Sequence, residues 1–291
     1  MKRLIVLGST GMLGSEVLRV VGGSEIEVVP VSRSLGIRFD AHTEPFASLA
    51  SQLQLCPQDW LVNCIGWIPQ KSSGDDLADQ RDAWLLNSSL PEQISEAQEG
   101  LGFNWIQIGT DCVYDGKTGD YIESSSKNAN ELYGLTKIAG ELFAHNAMLI
   151  RASIVGRDAR TSVGLYSWFK NAISQSNVNG YVNHLWNGVS TTAFSHLVLG
   201  LINAERTNPF YQHWIPRDRV SKHELLSMFA DLMDLDASRV VPVNDERSLD
   251  RTLATSNPSL NEELWSLAGY NQVQSIIELC SEFISLDKQL G

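Results

Sequence analysis

RLIVLGSTGMLG, residues 3–14, runs an apolar stretch straight into three glycines, Gly8, Gly11 and Gly14, and a helical pattern opens at Met12. A turn this tight needs residues without a Cβ where the backbone must approach a pyrophosphate. The helix start beyond it offers unpaired N–H groups and the positive end of a helix dipole to an anion. Strand, glycine loop and helix, in that order and at the N-terminus, read as the dinucleotide-binding turn of an α/β sheet, with Thr10, Met12 and Leu13 completing the loop. The spacing is G-x-x-G-x-x-G rather than the G-x-G-x-x-G of many dehydrogenases.

The same rhythm continues outward from this turn. RLIVL is followed by a helix from Met12 to about Val21, then IEVVPV, a short GIRFD, a helix near 45–55 and WLVNCI. A helix near 76–99, the run NWIQIG, a helix holding Tyr133 and the run MLIRAS complete the series. Strands alternating with helices, without long loops, predict a parallel sheet covered on both faces, which explains continuous apolar runs in place of alternating ones. The fold class is therefore α/β, a Rossmann-like doubly wound parallel sheet. Past Arg151 the rhythm loosens and aromatic residues become denser, which predicts a smaller C-terminal substrate-binding lobe. The expected division is 1–157 for the dinucleotide domain, with a segment returning near 185–205, and 158–184 with 206–291 for the lobe. Inside that lobe Ser221-Lys-His-Glu224 reads as a capping box opening an amphipathic helix.

Composition narrows the function classes. The chain has 291 residues and a formal charge of −12, from 22 basic and 34 acidic side chains, so its surface repels nucleic acid and anionic membranes. Any phosphate it binds must meet local backbone amides and a few placed cations. The four cysteines are scattered and the six histidines unclustered, which predicts no metal site and reduced thiols. The apolar run Leu4 to Leu7 is shorter than the roughly 7–15 residues of a signal-peptide core, and no stretch nears the ~20 residues that span a bilayer. A cytoplasmic protein without a membrane partner is the expectation.

Two Tyr-x-x-x-Lys pairs occur, Tyr133 with Lys137 and Tyr166 with Lys170, where about 0.2 would arise by chance. Four residues is just over one helical turn, so each pair shares a face. NWIQIG delivers Gly109-Thr110-Asp111 to the C-terminal end of its strand, where open α/β sheets bind ligands, and Tyr133 opens the next helix. Tyr166 follows the sixth strand, outside the half that would hold a nicotinamide, so it is read as the decoy. At the end of the second strand, where a carboxylate commonly meets the ribose 2′-hydroxyl of NAD, this chain has Ser32 and Arg33. A guanidinium there favours NADPH, with NADH also accommodated if Arg33 turns to solvent.

GSTGMLG, Asn63-Cys64-Ile65-Gly66, Asn87, GTDCVYDG, YGLTK and IRASIVG resemble, in order, the motifs of extended short-chain dehydrogenases/reductases, and most of all the dTDP-4-dehydrorhamnose reductase group of nucleotide-sugar reductases. The resemblance is close over residues 1 to about 156. It implies that Tyr133 is the catalytic acid, that Lys137 lowers its pKa and holds the nicotinamide ribose, and that Thr110 positions the carbonyl oxygen. It further implies that Asp40 contacts adenine and that Cys64, Ile65 and Gly66 lie beneath the cofactor. Asn87 supports the active-site hydrogen bonds or caps a neighbouring backbone. WNGVSTTAFSHLV resembles the segment that contacts substrate, so Trp186 and Asn187, together with Thr110, Asp111 and Tyr133, are the expected substrate residues. Ile154, Trp67-Ile-Pro-Gln-Lys71 and Val189-Ser190-Thr191-Thr192 depart from the group's pattern and leave the sugar open. The resemblance implies a reductase of the keto group of a nucleotide-linked deoxysugar, with a homodimer common in the family. An epimerase or dehydratase with bound NAD, and a regulatory subunit that keeps only the pocket, are the alternatives.

Overall fold

The computed structural model describes residues 2–158 and 163–290. Six strands, β1 (Arg3–Leu7), β2 (Glu27–Ser32), β3 (Ile37–Arg38), β4 (Asp59–Asn63), β5 (Asn104–Gly109) and β6 (Met148–Arg151), join Phe210–His213 in one seven-stranded sheet. Its order is Phe210–His213, β6, β5, β4, β1, β2, β3, and every pairing is parallel. All of β4 and four of the five residues of β1 are buried, which is why these strands read as unbroken apolar runs. From β1 the chain winds one way to β2 and β3; from β4 it winds the other way. The reversal leaves a crevice at the carboxyl ends of β1 and β4.

Helix α1 (Met12–Val21) covers one face together with α7 (Thr191–Asn203), and Val17, Val21, Ala193 and Leu197 share a core with Leu4 and Val62. On the other face α2 (Phe46–Leu53) and α4 (Leu90–Leu101) bury Phe46, Leu49, Leu90 and Ile94 against Ile5, Leu61 and Trp105. The helix expected near 76–99 is one helical run in three parts: α3 (Asp76–Trp84), a π turn at Leu85–Ser89, and α4. The wider turn carries Asn87. Helix α5 (Leu132–Glu141) follows β5.

The lobe gathers α6 (Leu165–Gln175), α8 (Lys222–Leu232) and short strands around Tyr166, Phe169, Leu225, Phe229 and Phe283. Helices α9 (Pro258–Leu267) and α10 (Ile276–Leu290) link it back to the sheet, since Trp265 and Leu279 belong to the same core as α1. The expected capping box is present: Ser221 accepts from the Glu224 N–H while the Glu224 side chain takes the Ser221 N–H. One boundary differs from the sequence reading. The returning segment extends to His213, because Phe210–His213 pairs with β6 from Phe210 against Met148 to His213 against Arg151. Its Gln212 and His213 are fully buried but polar, so the strand lacks the apolar run that marks the others. Among the described residues no helix is long and apolar enough to cross a membrane, and no cluster of His, Cys, Asp and Glu could hold a metal ion.

Candidate active site

The crevice between the two halves of the sheet opens as a cleft of about 460 Å³, lined by Gly8, Thr10, Gly11, Ser32, Arg33, Asp40, Cys64, Ile65 and Gly66. Gly8 has φ +73°, and a Cβ there would stand 3.0 Å from the Cys64 carbonyl. A Cβ on Gly14 would overlap the Gly8 carbonyl oxygen, so these two glycines are required by strand, loop and helix packing alone. Gly11 differs. The nearest atom to a Cβ there is 3.4 Å away, and Gly11 caps α1 without any side chain occupying its first-turn amides. Those amides face the need for an acceptor that a diphosphate meets. Met12 and Leu13 begin that helix, with Leu13 turned into the core.

Ser32 is committed to the turn after β2: its hydroxyl donates to the Leu35 carbonyl at 2.9 Å and accepts from the Ser34 and Leu35 N–H groups. Arg33 is exposed on the cleft wall and makes no hydrogen bond or ion pair among the described residues. Asp40 also lines the cleft, with Oδ1 held by the His42 N–H at 3.1 Å and by His42 Nδ1 at 2.9 Å. Lys71, which the sequence reading passed over as part of a departing stretch, lines the cleft as a second cation.

At the end of β5, Thr110 caps a short helical turn, Asp111–Val113, by accepting from the Cys112 N–H at 3.2 Å. Helix α5 places Tyr133, Lys137 and Glu141 at successive turns of one face. Thr110 is among the groups that act on the Tyr133 phenol, and the Lys137 ammonium donates to the Ile108 carbonyl at 2.9 Å. Burial pushes the phenol above its ordinary value, with Cys112 adding to the rise and Thr110 opposing it. This corrects the expectation of a lowered phenol: desolvation outweighs the favourable neighbours. Burial also draws Lys137 down to about 8, against the pull of Glu141.

Arg151 anchors this arrangement from below. It is 0% exposed, and it donates to the Thr110 carbonyl, to Glu141 Oε2 at 2.6 Å and to the Tyr211 hydroxyl at 3.0 Å. Asn87 clamps the loop after β4 to α5, donating to the Trp67 carbonyl at 3.0 Å and Thr136 Oγ1 at 3.1 Å while accepting from the Trp67 N–H. Of the two readings for Asn87, the backbone cap is the one with observed partners.

The lobe's contribution differs from expectation. Trp186 is buried, its indole N–H on Ser153 Oγ at 2.9 Å, and both ends of the Asn187 amide are taken by the backbone of Leu253. Asn187 therefore braces the lobe, and Trp186 offers only its ring. Over that ring, 5.3 Å from its centroid, lies the ammonium of Lys222, which makes no hydrogen bond or ion pair among the described residues. Burial draws Lys222 down to about 8, and Asp111 is the carboxylate that opposes this most. Sequence reasoning missed it because Lys222 sits inside the capping box, where a surface lysine is expected. Arg251 completes the wall, donating to the Tyr114 carbonyl at 2.9 Å and approaching Cys112 Sγ at 3.5 Å. Tyr166 and Lys170 both donate to Asp287 Oδ2, at 2.8 and 3.1 Å, Tyr166 from within the lobe core and Lys170 from its exposed rim.

The chain is similar to known proteins in sequence and in fold. The chain is 22% identical over 280 residues to a dTDP-4-keto-6-deoxy-D-glucose reductase of Streptomyces niveus, covering 94% of this chain and 93% of that one. It is 25% identical over 275 residues to methionine adenosyltransferase 2 subunit beta of Xenopus tropicalis, covering 89% and 80%. Its fold is similar to that of a dTDP-4-dehydrorhamnose reductase from Bacillus anthracis solved in complex with NADP, with a TM-score of 0.79 and 18% identity over 98% of this chain and 100% of that one. The family model described as RmlD substrate binding domain matches residues 1–285, which takes in the cleft, the Tyr133 helix and almost all of the lobe, and the chain belongs to that family.

Proposed function

We propose that this protein is an NADPH-dependent reductase of the C4 keto group of a nucleotide-linked deoxysugar, with Tyr133 as proton donor. The observation that carries the reading is the pairing of Tyr133 and Lys137 one turn apart on α5, with the Lys137 ammonium on the Ile108 carbonyl two residues before Thr110 at the end of β5. NADPH, when bound, supplies the hydride. The α1 first-turn amides would hold its diphosphate, and Arg33 with Lys71 would meet its 2′-phosphate. Lys137 would hold the nicotinamide ribose, while Thr110 and Tyr133 donate to the oxygen that becomes an alkoxide. A phenol held above its ordinary value is protonated at neutral pH, as a proton donor must be before reduction.

Arg33→Ala is expected to weaken NADPH binding by about ten-fold or more while leaving NADH nearly unchanged, since only NADPH carries the charge a guanidinium would meet. Titration of both cofactors against the variant checks this, and equal losses would remove Arg33 from the site. The relatives named as methionine adenosyltransferase 2 subunit beta support a second reading, a regulatory subunit that keeps the cofactor cleft for binding alone. Supplying purified protein with NADPH and either dTDP-linked or UDP-linked 4-keto-6-deoxyhexoses separates the two. Oxidation of NADPH with one of these sugars, and slower maximal turnover with the free sugar, is the expected result. NADPH binding without any turnover would sink the reductase in favour of the subunit.

A further inference from the structure

His42 lines the cofactor cleft from the turn that follows β3 and has no part in the chemistry above. Its Nδ1 lies 2.9 Å from Asp40 Oδ1, which also accepts the His42 N–H at 3.1 Å, and its Nε2 lies 3.0 Å from Asp82 Oδ1 on α3. An ionised carboxylate only accepts hydrogen bonds, so a ring with a carboxylate on each nitrogen keeps both bonds only when both nitrogens carry protons. The bridge is complete as an imidazolium and loses one of its two ring bonds as a neutral imidazole. With its side chain 34% exposed, His42 exchanges protons with water without any opening of the fold.

The same proton decides the charge of the cleft. Its lining carries Arg33, His42 and Lys71 as cations and Asp40, Asp82 and Asp158 as carboxylates, so the formal charges balance with His42 protonated and leave one excess carboxylate without it. Glu44 adds a further carboxylate from the turn that holds His42, its Oε1 taking the Asp40 N–H at 3.1 Å. On α3, Asp79 takes the Ser73 N–H at 2.8 Å and Arg81 lines a separate groove with Leu77 and Trp84, while Asp82 is the group that meets the ring. NADPH and NADH differ by one phosphate, on the adenosine ribose at the end of the second strand, where Arg33 stands. Excess negative charge there opposes that phosphate and does little to NADH.

We propose that the Asp40–His42–Asp82 bridge sets the cofactor preference of the cleft, favouring NADPH over NADH while His42 is an imidazolium and less so once it is neutral. The inference rests on the reading that Arg33 and Lys71 meet the 2′-phosphate. Burial draws the ring down, but the hydrogen bonds to Asp40 and Asp82 outweigh it and hold His42 above its ordinary 6.5. The preference is therefore greatest below that raised midpoint and falls as pH rises through it.

Fluorescence titration of the full-length protein with NADPH and with NADH, at pH 7 and at pH 9, gives the ratio of the two dissociation constants. The 2′-phosphate is largely doubly charged across this range. Lys137, at about 8, would act on the nicotinamide ribose that both cofactors carry, so its titration cancels in the ratio. Between the two pH values NADPH is expected to weaken relative to NADH by about three-fold or more. In His42→Gln the ratio is expected to stay flat, and at pH 7 to resemble the native ratio at pH 9. Asp82→Asn, which removes a carboxylate from the lining, is expected to favour NADPH at pH 9 relative to the native protein. A native ratio that does not move with pH overturns the proposal, and so does an equal movement in His42→Gln, which would place the titrating group elsewhere. In cofactor-free protein, ¹³C NMR of the histidine rings, with His42 assigned by signal loss in His42→Gln, is expected to give a midpoint above 6.5 that falls in Asp82→Asn. A midpoint at or below 6.5 overturns the bridge itself. That midpoint needs no cofactor, and the Arg33→Ala titration needs no change of pH, so this proposal and the 2′-phosphate reading can fail separately.

Discussion

Replacing Tyr133 with Phe is expected to lower turnover by roughly 10²–10⁴-fold, the range for a lost general acid, with NADPH affinity nearly unchanged. The substitution removes one oxygen and keeps the ring, so α5 and the cleft beside it stay in place. What disappears is the hydroxyl beside Thr110 and the proton that reduction must deliver. Tyr166→Phe is the matched control, because Tyr166 also has a lysine one turn on. Its hydroxyl bonds Asp287 in the lobe core, so the loss should appear as about 1 kcal/mol of stability and not as turnover. Steady-state rates for the two variants, beside their unfolding midpoints, test both statements. Full turnover in Tyr133→Phe would mean that the proton comes from elsewhere, and a collapse in Tyr166→Phe would mean that the wrong tyrosine has been chosen.

Much of this frame was legible before any coordinates. The strands are buried on both faces, so β1, β4 and β5 announced themselves as apolar runs, and the glycines announced the loop that Gly8 and Gly14 cannot avoid. Tyr133 was legible because local order places it: strand, threonine, then the next helix. The features that escaped are those made by distant chain segments. Lys222 shows no local signal of its position over Trp186, since that depends on a strand, His184–Trp186, folded beside Val220–Ser221. Phe210–His213 escaped for a related reason, as its buried Gln212 amide nitrogen and His213 bond to Thr255, Ala254 and Glu123, far along the chain. Trp186 and Asn187 were nominated by their neighbourhood in sequence, and their polar atoms turned out to be spent on Ser153 and Leu253.

Arg151→Met is expected to cost about 3–5 kcal/mol, a large share of the stability of an ordinary domain. Methionine can fill the space of the stem but leaves the Thr110 carbonyl without its donor and Glu141 with Lys127 as its single cation. The cost is that of an uncompensated buried charge, so the double variant Arg151→Met with Glu141→Gln should recover part of it. The loss should also depend on pH. Burial raises Glu141, but Arg151 and then Lys127 outweigh it and hold the carboxyl below its ordinary 4.5. Stability gained in this way is present above 4.5 and disappears as pH falls through the lowered value. His213 adds to the same trend: burial, helped by Arg151, draws it from 6.5 to about 4, so the native protein also loses stability as pH falls across that window. Without Arg151 both shifts shrink, and the variant has less to lose on acidification. Denaturant unfolding of native and variant proteins should therefore show the widest gap near neutrality, narrowing steadily from pH 6.5 downward. A gap of constant size would mean that Arg151 acts by filling space, and that the charges gathered beneath Thr110 contribute nothing to holding it.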